Sequence, residues 1–141
     1  MTDIAIRTAR PDEIPALLAF WGRAAEGASI TDDEAGVARL IERDPQALLV
    51  AELDGVLAGT VIAGFDGWRC HLYRLAVDPE LRRRGVGGAL IAAAEARFAE
   101  LGGRRADAMV LEHNALGQGA WAGAGYRREE QWRRWVRPLA G

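Results

Sequence analysis

The apolar positions in the first part of the chain follow two periods, one typical of strands and one typical of helices. Residues 3–8 alternate polar and apolar side chains and predict a strand. Pro11 and the two acids after it are typical of a helical first turn, and apolar residues continue at helical spacing up to Gly22. Residues 31–34 match a capping box, so a second helix is predicted to start there and to end before Pro45.

The middle of the chain predicts three consecutive strands. Two apolar, β-rich runs at residues 47–53 and 56–65 flank the dipeptide Asp54-Gly55, which is a strong two-residue signal for a β-hairpin. A third strand is predicted over residues 69–77. No helix separates these strands, so we expect the front of the sheet to be mostly antiparallel.

A glycine-rich, basic turn at residues 82–88 follows the third of these strands. After it, apolar residues from Leu90 to Leu101 trace one face of a helix that Gly102 ends. The turn therefore joins a strand to a long helix.

The last third of the chain predicts three more elements. Residues 107–112 predict a strand, residues 115–124 a short helix and residues 131–136 a last strand. The element order is β-α-α-β-β-β-α-β-α-β, which is typical of an α/β domain with a βαβ unit at its back. With no linker or repeat, we expect a single domain over residues 1–141.

Composition excludes several kinds of site. Cys70 is the single cysteine, which excludes an internal disulfide framework and a multi-cysteine zinc site. All 18 basic residues are arginine, so no lysine can serve a P-loop, a Schiff base or a nucleophile. No apolar run reaches the ~18–20 residues of a membrane span, and the first residues show no signal-peptide pattern. We expect a cytoplasmic protein with no metal and no membrane partner.

Charge differs between the two halves of the chain. Residues 1–66 carry 12 acids and 5 arginines, a net charge of −7, whereas residues 67–141 carry 8 acids and 13 arginines, a net charge of +5. The second half is therefore suited to an anionic ligand. Nucleic acid is not expected as that ligand, because the arginines do not alternate with aromatic residues along one basic face.

The glycine-rich turn has the features of an anion site. Gly85, Gly87 and Gly88 let the backbone approach a ligand closely, and a helical first turn leaves about four N–H groups unpaired with a partial positive charge. The arginines at residues 82–84 add donors that suit phosphate oxygens. The dinucleotide fingerprint does not fit, because Leu90 stands where its third glycine would be.

The sequence around this turn resembles the acetyl-coenzyme A motif of the GNAT superfamily of N-acetyltransferases. The pattern Arg/Gln-x-x-Gly-x-Gly/Ala is filled by Arg82, Gly85 and Gly87. Downstream, Asn114 and the pair Gly125-Tyr126 stand in the family's order. The resemblance implies the α/β GNAT acyl-CoA N-acyltransferase fold, with a mixed, mostly antiparallel sheet flanked by about four helices.

The resemblance also implies where acetyl-CoA binds. The pantetheine arm would run along Leu75, Ala76 and Val77 and would contact Asn114. The pyrophosphate would lie on the backbone amides of the turn and its arginines: Arg82, Arg83, Arg84, Gly85, Val86, Gly87, Gly88 and Ala89.

A gap between two strands would make room for this arm. Pantetheine carries two amides that can pair with a strand edge, so separation of residues 72–77 from residues 107–112 would give it a slot. By the same resemblance, the N–H of Leu75 would point at the thioester carbonyl, where negative charge grows during acyl transfer.

Two positions depart from the family pattern. Trp121 occupies the place of the tyrosine that protonates the leaving thiolate, and an indole N–H cannot give up its proton near neutrality. We expect Trp121 to pack against the end of the pantetheine arm instead. His71 stands where a glutamate is common, so it is the first candidate for the general base; Tyr73, Glu112 and the adjacent His113 are alternatives, although a surface position is the more common role for the last two.

The sequence thus predicts an N-acetyltransferase that moves an acetyl group directly to a primary amine within a ternary complex. The acceptor would be a small-molecule or peptide amine. A non-catalytic module that binds or senses acyl-CoA is the alternative, because the family tyrosine is missing at Trp121. A homodimer formed through the final strand is a further association that the pattern permits.

Overall fold

The computed structural model of the protein describes residues 3–112 and 114–139. Within these residues the chain forms five strands, four α-helices and two short 3-10 turns. In chain order they are β1 (Ile4–Thr8), a 3-10 turn (Pro11–Glu13), α1 (Ile14–Ala24), α2 (Glu34–Arg43), β2 (Leu48–Leu53), β3 (Val56–Phe65), β4 (Cys70–Val77), a 3-10 turn (Pro79–Leu81), α3 (Val86–Glu100), β5 (Ala106–Ala108) and α4 (Ala115–Gly123).

The strands form one sheet in the order β1-β2-β3-β4-β5. The pairs β1–β2, β2–β3 and β3–β4 are antiparallel, and β5 runs parallel to β4. The β2–β3 hairpin turns at Asp54 and Gly55, whose φ angles of 54° and 76° are those a two-residue type I′ turn requires. The predicted mixed, mostly antiparallel sheet with four helices is therefore confirmed.

Helices cover both faces of the sheet. On one face α3 contributes Leu90 to an apolar cluster that includes Leu72 of β4. On the other face α1 contributes Leu17 and Phe20 to a second cluster that includes Ala76, also of β4. Strand β4 thus contributes side chains to the apolar layers on both sides of the sheet.

The start of α2 differs in detail from the predicted capping box. The N-cap is Asp33 and not Thr31, and the Asp33 Oδ1 accepts a hydrogen bond of 2.7 Å from the N–H of Gly36. Thr31 instead belongs to the turn before the helix, where its hydroxyl lies 3.2 Å from that of Ser29. The Asp33 carboxylate thus accepts the hydrogen bond of a backbone N–H group that has no partner within the helix.

The predicted last strand over residues 131–136 does not form. Residues 124–139 contain neither helix nor strand, and Trp132 and Trp135 are 66% and 93% exposed. A strand needs a neighbouring edge for its backbone hydrogen bonds. Strand β5, predicted over residues 107–112, pairs over only three residues and offers this segment almost no ladder to join.

Candidate active site

The turn between β4 and α3 reverses the chain through two left-handed residues. Asp78 first caps the 3-10 turn by accepting a hydrogen bond of 2.9 Å from the N–H of Glu80. Arg83 and Gly85 then adopt φ angles of 67° and 84°. Glycine adopts this region freely, whereas an arginine does so at a cost in free energy. The turn is thus held in one shape before the helix begins.

Helix α3 begins without a side-chain cap. Its N-cap is Gly85, and the first intrahelical hydrogen bond runs from the N–H of Ala89 to the carbonyl of Gly85 at 3.0 Å. The N–H groups of Val86, Gly87 and Gly88 precede this bond, so they have no acceptor within the helix. Together with the helix dipole they form a site for an anion.

The glycines near this turn fall into two kinds. A methyl group built on Gly59 of β3 would lie 2.8 Å from Cγ1 of Val86, so this glycine is required for α3 to pack on the sheet. A methyl group on Gly87 would meet only Cγ2 of Val77 at 3.7 Å, and one on Gly88 would meet no described atom within 4 Å. The protein itself therefore does not need these two glycines, and the open space beside them suits a ligand.

Positive charge surrounds the same turn. The three arginines at residues 82–84 are exposed and lie next to the free N–H groups. Hydrogen bonds from the N–H of Glu80 and from Arg23 hold the pKa of Asp78 below its usual range, with a smaller contribution from the charge of Arg82. The Asp78 carboxylate is therefore bound within the protein, and the arginines remain available to a phosphate.

Strand β4 carries a one-residue bulge. Thr60 of β3 pairs with Ala76 and Ile62 pairs with Tyr73, so β4 uses three steps where β3 uses two. Arg74, inside the bulge, has a φ of 52°. The bulge bends β4 and reverses the face on which the following side chains lie.

The pairing of β4 with β5 ends just before this bulge, and the unpaired stretch beyond it is called here the gap. The β4–β5 ladder ends at the pair Leu72 and Ala108, whereas β4 continues to Val77 and residues 109–112 form no strand. From Tyr73 onward, the β4 edge that faces away from β3 therefore has no strand beside it among the described residues. An extended ligand with amide groups can pair with such an edge.

The bulge corrects the relation between His71 and Leu75 that simple alternation predicts. Leu72 and Leu75 both pack on the α3 side of the sheet, so one face is used at positions separated by three residues. The side chains of His71 and Leu75 consequently lie on opposite faces. Simple alternation would place both side chains on one face, but it assumes a regular strand.

His71 lies beside a carboxylate that the sequence did not single out. Its Nε2 is 3.5 Å from Oδ2 of Asp66. The other oxygen of Asp66 accepts hydrogen bonds from the N–H groups of Arg69, at 2.7 Å, and Trp68, at 2.8 Å. These two bonds hold the pKa of Asp66 below its usual range, so the carboxylate stays ionised and can orient the imidazole.

Tyr73 is close to His71 and keeps its proton. The two ring centres are 6.2 Å apart, and Tyr73 is 46% exposed. Burial raises the pKa of the Tyr73 phenol, with a smaller opposing effect from the charge of Arg134. At neutral pH this phenol is thus suited to donate a proton and poorly suited to accept one.

The remaining candidates lie around α4. Glu112 is exposed and its Oε1 lies 3.4 Å from a guanidinium nitrogen of Arg128. Asn114 caps α4, accepting a hydrogen bond of 2.9 Å from the N–H of Gly117. Trp121 is 7% exposed, in the cluster beneath α3. His113 lies outside the described residues.

The tyrosine after α4 packs on Trp121. The ring centres of Trp121 and Tyr126 are 5.0 Å apart in an edge-to-face arrangement. The hydroxyl of Tyr126 donates a 2.8 Å hydrogen bond to Glu95 of α3. This contact ties α4 to α3, so Trp121 has a packing role within the chain itself.

Sequence reasoning missed Asp66, Thr60 and the side chain of Arg74. Asp66 precedes a glycine between two predicted strands. This Asp-Gly pair indicates a turn, and it is the sequence signal that could have pointed to Asp66. Thr60 and Arg74 act through partners that lie 14 or more positions away, and no local pattern indicates such contacts.

The described residues lack two further kinds of feature. No helix among them is long and apolar enough to cross a membrane. No group of three or more histidine, cysteine, aspartate or glutamate side chains in the described part of the chain is arranged to hold a metal ion.

Comparison with known proteins gives a consistent result. The family model described as the acetyltransferase (GNAT) family matches residues 12–126. An acetyltransferase of Pectobacterium atrosepticum is 36% identical over 109 residues, which make up 77% of this chain and 77% of that protein.

Two solved structures have a similar fold. The aminoglycoside N-acetyltransferase AAC(6')-Iy, in complex with the bisubstrate analogue CoA-S-monomethyl-acetylneamine, has a TM-score of 0.76 and 20% identity, covering 97% of this chain and 99% of that one. The PaiA N-acetyltransferase of Thermoplasma acidophilum, in complex with coenzyme A, has a TM-score of 0.75 and 18% identity, covering 90% of this chain and 91% of that one. At such identities the likeness concerns the fold.

Proposed function

Because the chain belongs to the acetyltransferase (GNAT) family, we propose that it transfers the acetyl group of acetyl-CoA to a primary amine. One observation carries the proposal: the uncapped first turn of α3, with open space at Gly87 and Gly88, lies at the end of the strand whose edge is free. An anion site and a slot for an extended arm are thereby joined, as a molecule with a pyrophosphate and a pantetheine arm requires.

The residues at both parts fit coenzyme A chemically. In this proposal the backbone amides of residues 83–88 hold the pyrophosphate, and Arg82, Arg83 and Arg84 supply further donors. The free edge of Leu75–Val77 pairs with the amides of the pantetheine arm, and Asn114 and Trp121 bound its far end. The thioester supplies an activated acetyl group.

His71 is the proposed general base. An alkylammonium is almost wholly protonated at pH 7 and must lose a proton before its nitrogen can attack a carbonyl carbon. The imidazole of His71 accepts this proton, directly or through one water, while ionised Asp66 holds the ring. Glu112 is the less suitable alternative, since its carboxylate is exposed and paired with Arg128.

Leu75 and Tyr73 are proposed to act on the thioester, Leu75 at its carbonyl oxygen and Tyr73 at its sulfur. As the nitrogen–carbon bond forms, the N–H of Leu75 stabilises the negative charge on the carbonyl oxygen. As the carbon–sulfur bond breaks, the sulfur needs a proton, which solvent or the protonated phenol of Tyr73 can supply. The buried indole of Trp121 cannot fill this role.

The acceptor is proposed to be a small-molecule or peptide amine. The acidic first half of the chain, with its net charge of −7, supports a cationic acceptor. The aminoglycoside N-acetyltransferase AAC(6')-Iy was solved with CoA-S-monomethyl-acetylneamine, so an aminoglycoside is one of the amines that test the proposal.

A homodimer and a cytoplasmic location belong to the same proposal. The exposed Trp132 and Trp135 support an association through residues 131–136, which sedimentation at several protein concentrations would detect.

The free, buried thiol of Cys70 fits a reducing compartment.

The experiment measures coenzyme A binding by calorimetry and free thiol release from acetyl-CoA with neamine, spermidine and triglycine as amines. We expect binding, and thiol release above the buffer rate with at least one amine. Binding without release for amines of every class would instead identify the non-catalytic acyl-CoA module that Trp121 favours. Absence of coenzyme A binding would overturn both.

A further inference from the structure

One side chain ties the bulge of β4 to the loop between α1 and α2, residues 25–33, called here the α1–α2 loop. The guanidinium of Arg74 forms a two-point ion pair with Asp32, with 3.2 Å between Nε and Oδ1 and a second contact between Nη2 and Oδ2. Its Nη1 donates to the carbonyls of Glu26, at 3.2 Å, and Gly27, at 3.1 Å. Four of its five N–H donors are thus used on one loop.

Arg74 makes these contacts at a cost in free energy. Its side chain is only 14% exposed, and burial lowers the pKa of its guanidinium. Its φ of 52° is in the region that non-glycine residues rarely adopt. A buried charge and a strained backbone at the same residue persist only where surrounding contacts hold them.

The backbone of Arg74 is held by a hydrogen bond from β3. Its carbonyl accepts a hydrogen bond of 2.9 Å from the hydroxyl of Thr60, which is fully buried. The same hydroxyl accepts a hydrogen bond of 2.9 Å from the indole N–H of Trp21 in α1. The bulge therefore connects α1 and β3 with the loop.

The α1–α2 loop also reaches the far side of the gap. A methyl group built on Gly27 would lie 3.0 Å from Cδ1 of Leu111, a residue that follows β5. The loop therefore lies against Arg74 of β4 on one side and Leu111 on the other. These two segments continue past the last pair of the β4–β5 ladder, Leu72 and Ala108.

We propose that Arg74 is a positioning residue that fastens the α1–α2 loop across the gap between β4 and β5 and so fixes one wall of the amine site. Asp32 is its partner in this role and is not free to attract an acceptor at the mouth of the site. The role of this wall in binding the amine rests on the proposed function. The contact between Arg74 and the loop does not depend on that function.

Amide hydrogen exchange tests the fastening without any substrate. In Arg74→Asn and in Asp32→Asn, we expect exchange in residues 26–32 to rise about tenfold or more, because local opening loses the contacts that oppose it. The double variant should show little rise beyond the larger of the two single variants, since the ion pair between Arg74 and Asp32 is already lost in each. Asparagine tolerates the left-handed backbone, so Arg74→Asn removes the side chain without adding strain.

The control is Arg39→Gln, which removes an exposed arginine from α2. It should leave exchange in the α1–α2 loop unchanged. Unchanged exchange in both Arg74→Asn and Asp32→Asn would overturn the fastening, and so would an equal rise in Arg39→Gln. If Arg74→Asn fails to fold, Asp32→Asn alone decides.

Kinetics test the functional half of the proposal, which is the role of the wall in binding the amine. The amine used is whichever of neamine, spermidine and triglycine the parent acetylates fastest. We expect Arg74→Asn to raise KM for that amine about tenfold, with kcat changed less than about threefold. The dissociation constant of coenzyme A should stay within about twofold, and Arg74→Lys should lie between parent and Arg74→Asn. An unchanged KM for the amine would overturn the functional half. If the parent releases no thiol with any amine, the proposed function fails while the exchange result still decides the fastening.

Discussion

At the scale of single residues, the glycines at and near the start of α3 have two different roles. Gly59 is needed by the protein, because a methyl group there would press on Val86 and on the carbonyl of Ala76 at 2.9 Å or less. Gly87 and Gly88 face open space, so only a ligand would be affected by side chains at these positions. This difference separates a glycine kept for packing from one kept for binding.

The first prediction concerns Gly87→Val. The new side chain starts 3.7 Å from Val77, an ordinary contact, and adds bulk at the first turn, where the free N–H groups lie. We expect the dissociation constant of coenzyme A to rise about tenfold or more while the fold is retained. Calorimetry measures the first and thermal unfolding the second.

Gly22→Val is the control, because Gly22 is a helical glycine outside the turn, is exposed, and has no described atom within 4 Å of its built methyl group. Its affinity for coenzyme A should equal that of the parent. Unchanged affinity in Gly87→Val would refute the placement of the pyrophosphate.

The second prediction concerns His71→Ala. Without the base, the amine must deprotonate in solution, so turnover at pH 7 should fall about 10²-fold or more. The rate should recover as pH rises toward the pKa of the amine, because the free-base fraction then grows. The affinity for coenzyme A should not change.

Asp66→Asn separates orientation from proton transfer at the same pair. The amide still lies beside Nε2 but carries no charge, so turnover should fall by less than in His71→Ala. Parental rates for His71→Ala across the whole pH range would mean that Tyr73 or Glu112 is the base, or that the acceptor arrives neutral.

At the scale of elements, β4 shows how far local pattern reaches. Alternation predicts its position to within one residue, and the glycines after it predict the turn into α3. The bulge at Arg74 has no local signal, because it follows from the pairing of β4 with β3 and from the hydrogen bond that Thr60 gives to the Arg74 carbonyl. The one residue that changes the face of Leu75 is therefore set by a contact between distant positions.

The cluster at the start of the sheet provides the third prediction. Arg7 of β1 donates to both carboxylate oxygens of Glu13, at 2.8 and 2.7 Å, and the N–H of Arg10 donates to the same group at 2.8 Å. Mainly because of Arg7, the pKa of Glu13 is lowered from 4.5 to about 2. Between these values the unfolded chain binds more protons than the native protein, so stability falls as pH falls.

Glu13→Gln should remove this part of the acid sensitivity. Glu13 is 20% exposed in its side chain, so after allowance for solvent screening we expect a loss of about 1–2 kcal/mol at pH 7 and almost none at pH 2. Urea unfolding at pH 2, 3, 4.5 and 7 measures it. The neighbouring carboxylate of Asp12 is 82% exposed, and Asp12→Asn should follow the parent at every pH. A constant difference between Glu13→Gln and the parent would contradict the role of this carboxylate.

At the scale of the whole molecule, the sequence predicts what is local and misses what needs a partner. The order β2-β3-β4 follows from short connections, and the four helices follow from apolar spacing. Residues 131–136 contain two tryptophans and a valine, which are common in strands, but β5 gives these residues no edge long enough to pair with. Trp135 is consequently exposed, although its position in the pattern predicts a strand.

The charge of the two halves also acts on this scale. The acidic half contains α1, α2 and their loop, and the basic half contains β4, α3 and α4. The two meet along the β3–β4 pair, beside which the gap lies. A cationic amine and an anionic cosubstrate can therefore approach the gap from regions of opposite charge.

The last prediction follows from this arrangement. If exposed arginines attract the phosphates of coenzyme A, salt must weaken binding, because the Debye length falls as ionic strength rises. We expect the dissociation constant to rise about threefold to tenfold between roughly 50 mM and 500 mM sodium chloride. Arg82→Ala should weaken binding by only about twofold at low salt, since Arg82 is one donor among several, and should reduce the salt dependence. Calorimetry at four salt concentrations measures both slopes. A dissociation constant independent of salt would mean that the backbone amides of α3 bind the pyrophosphate without help from the arginines.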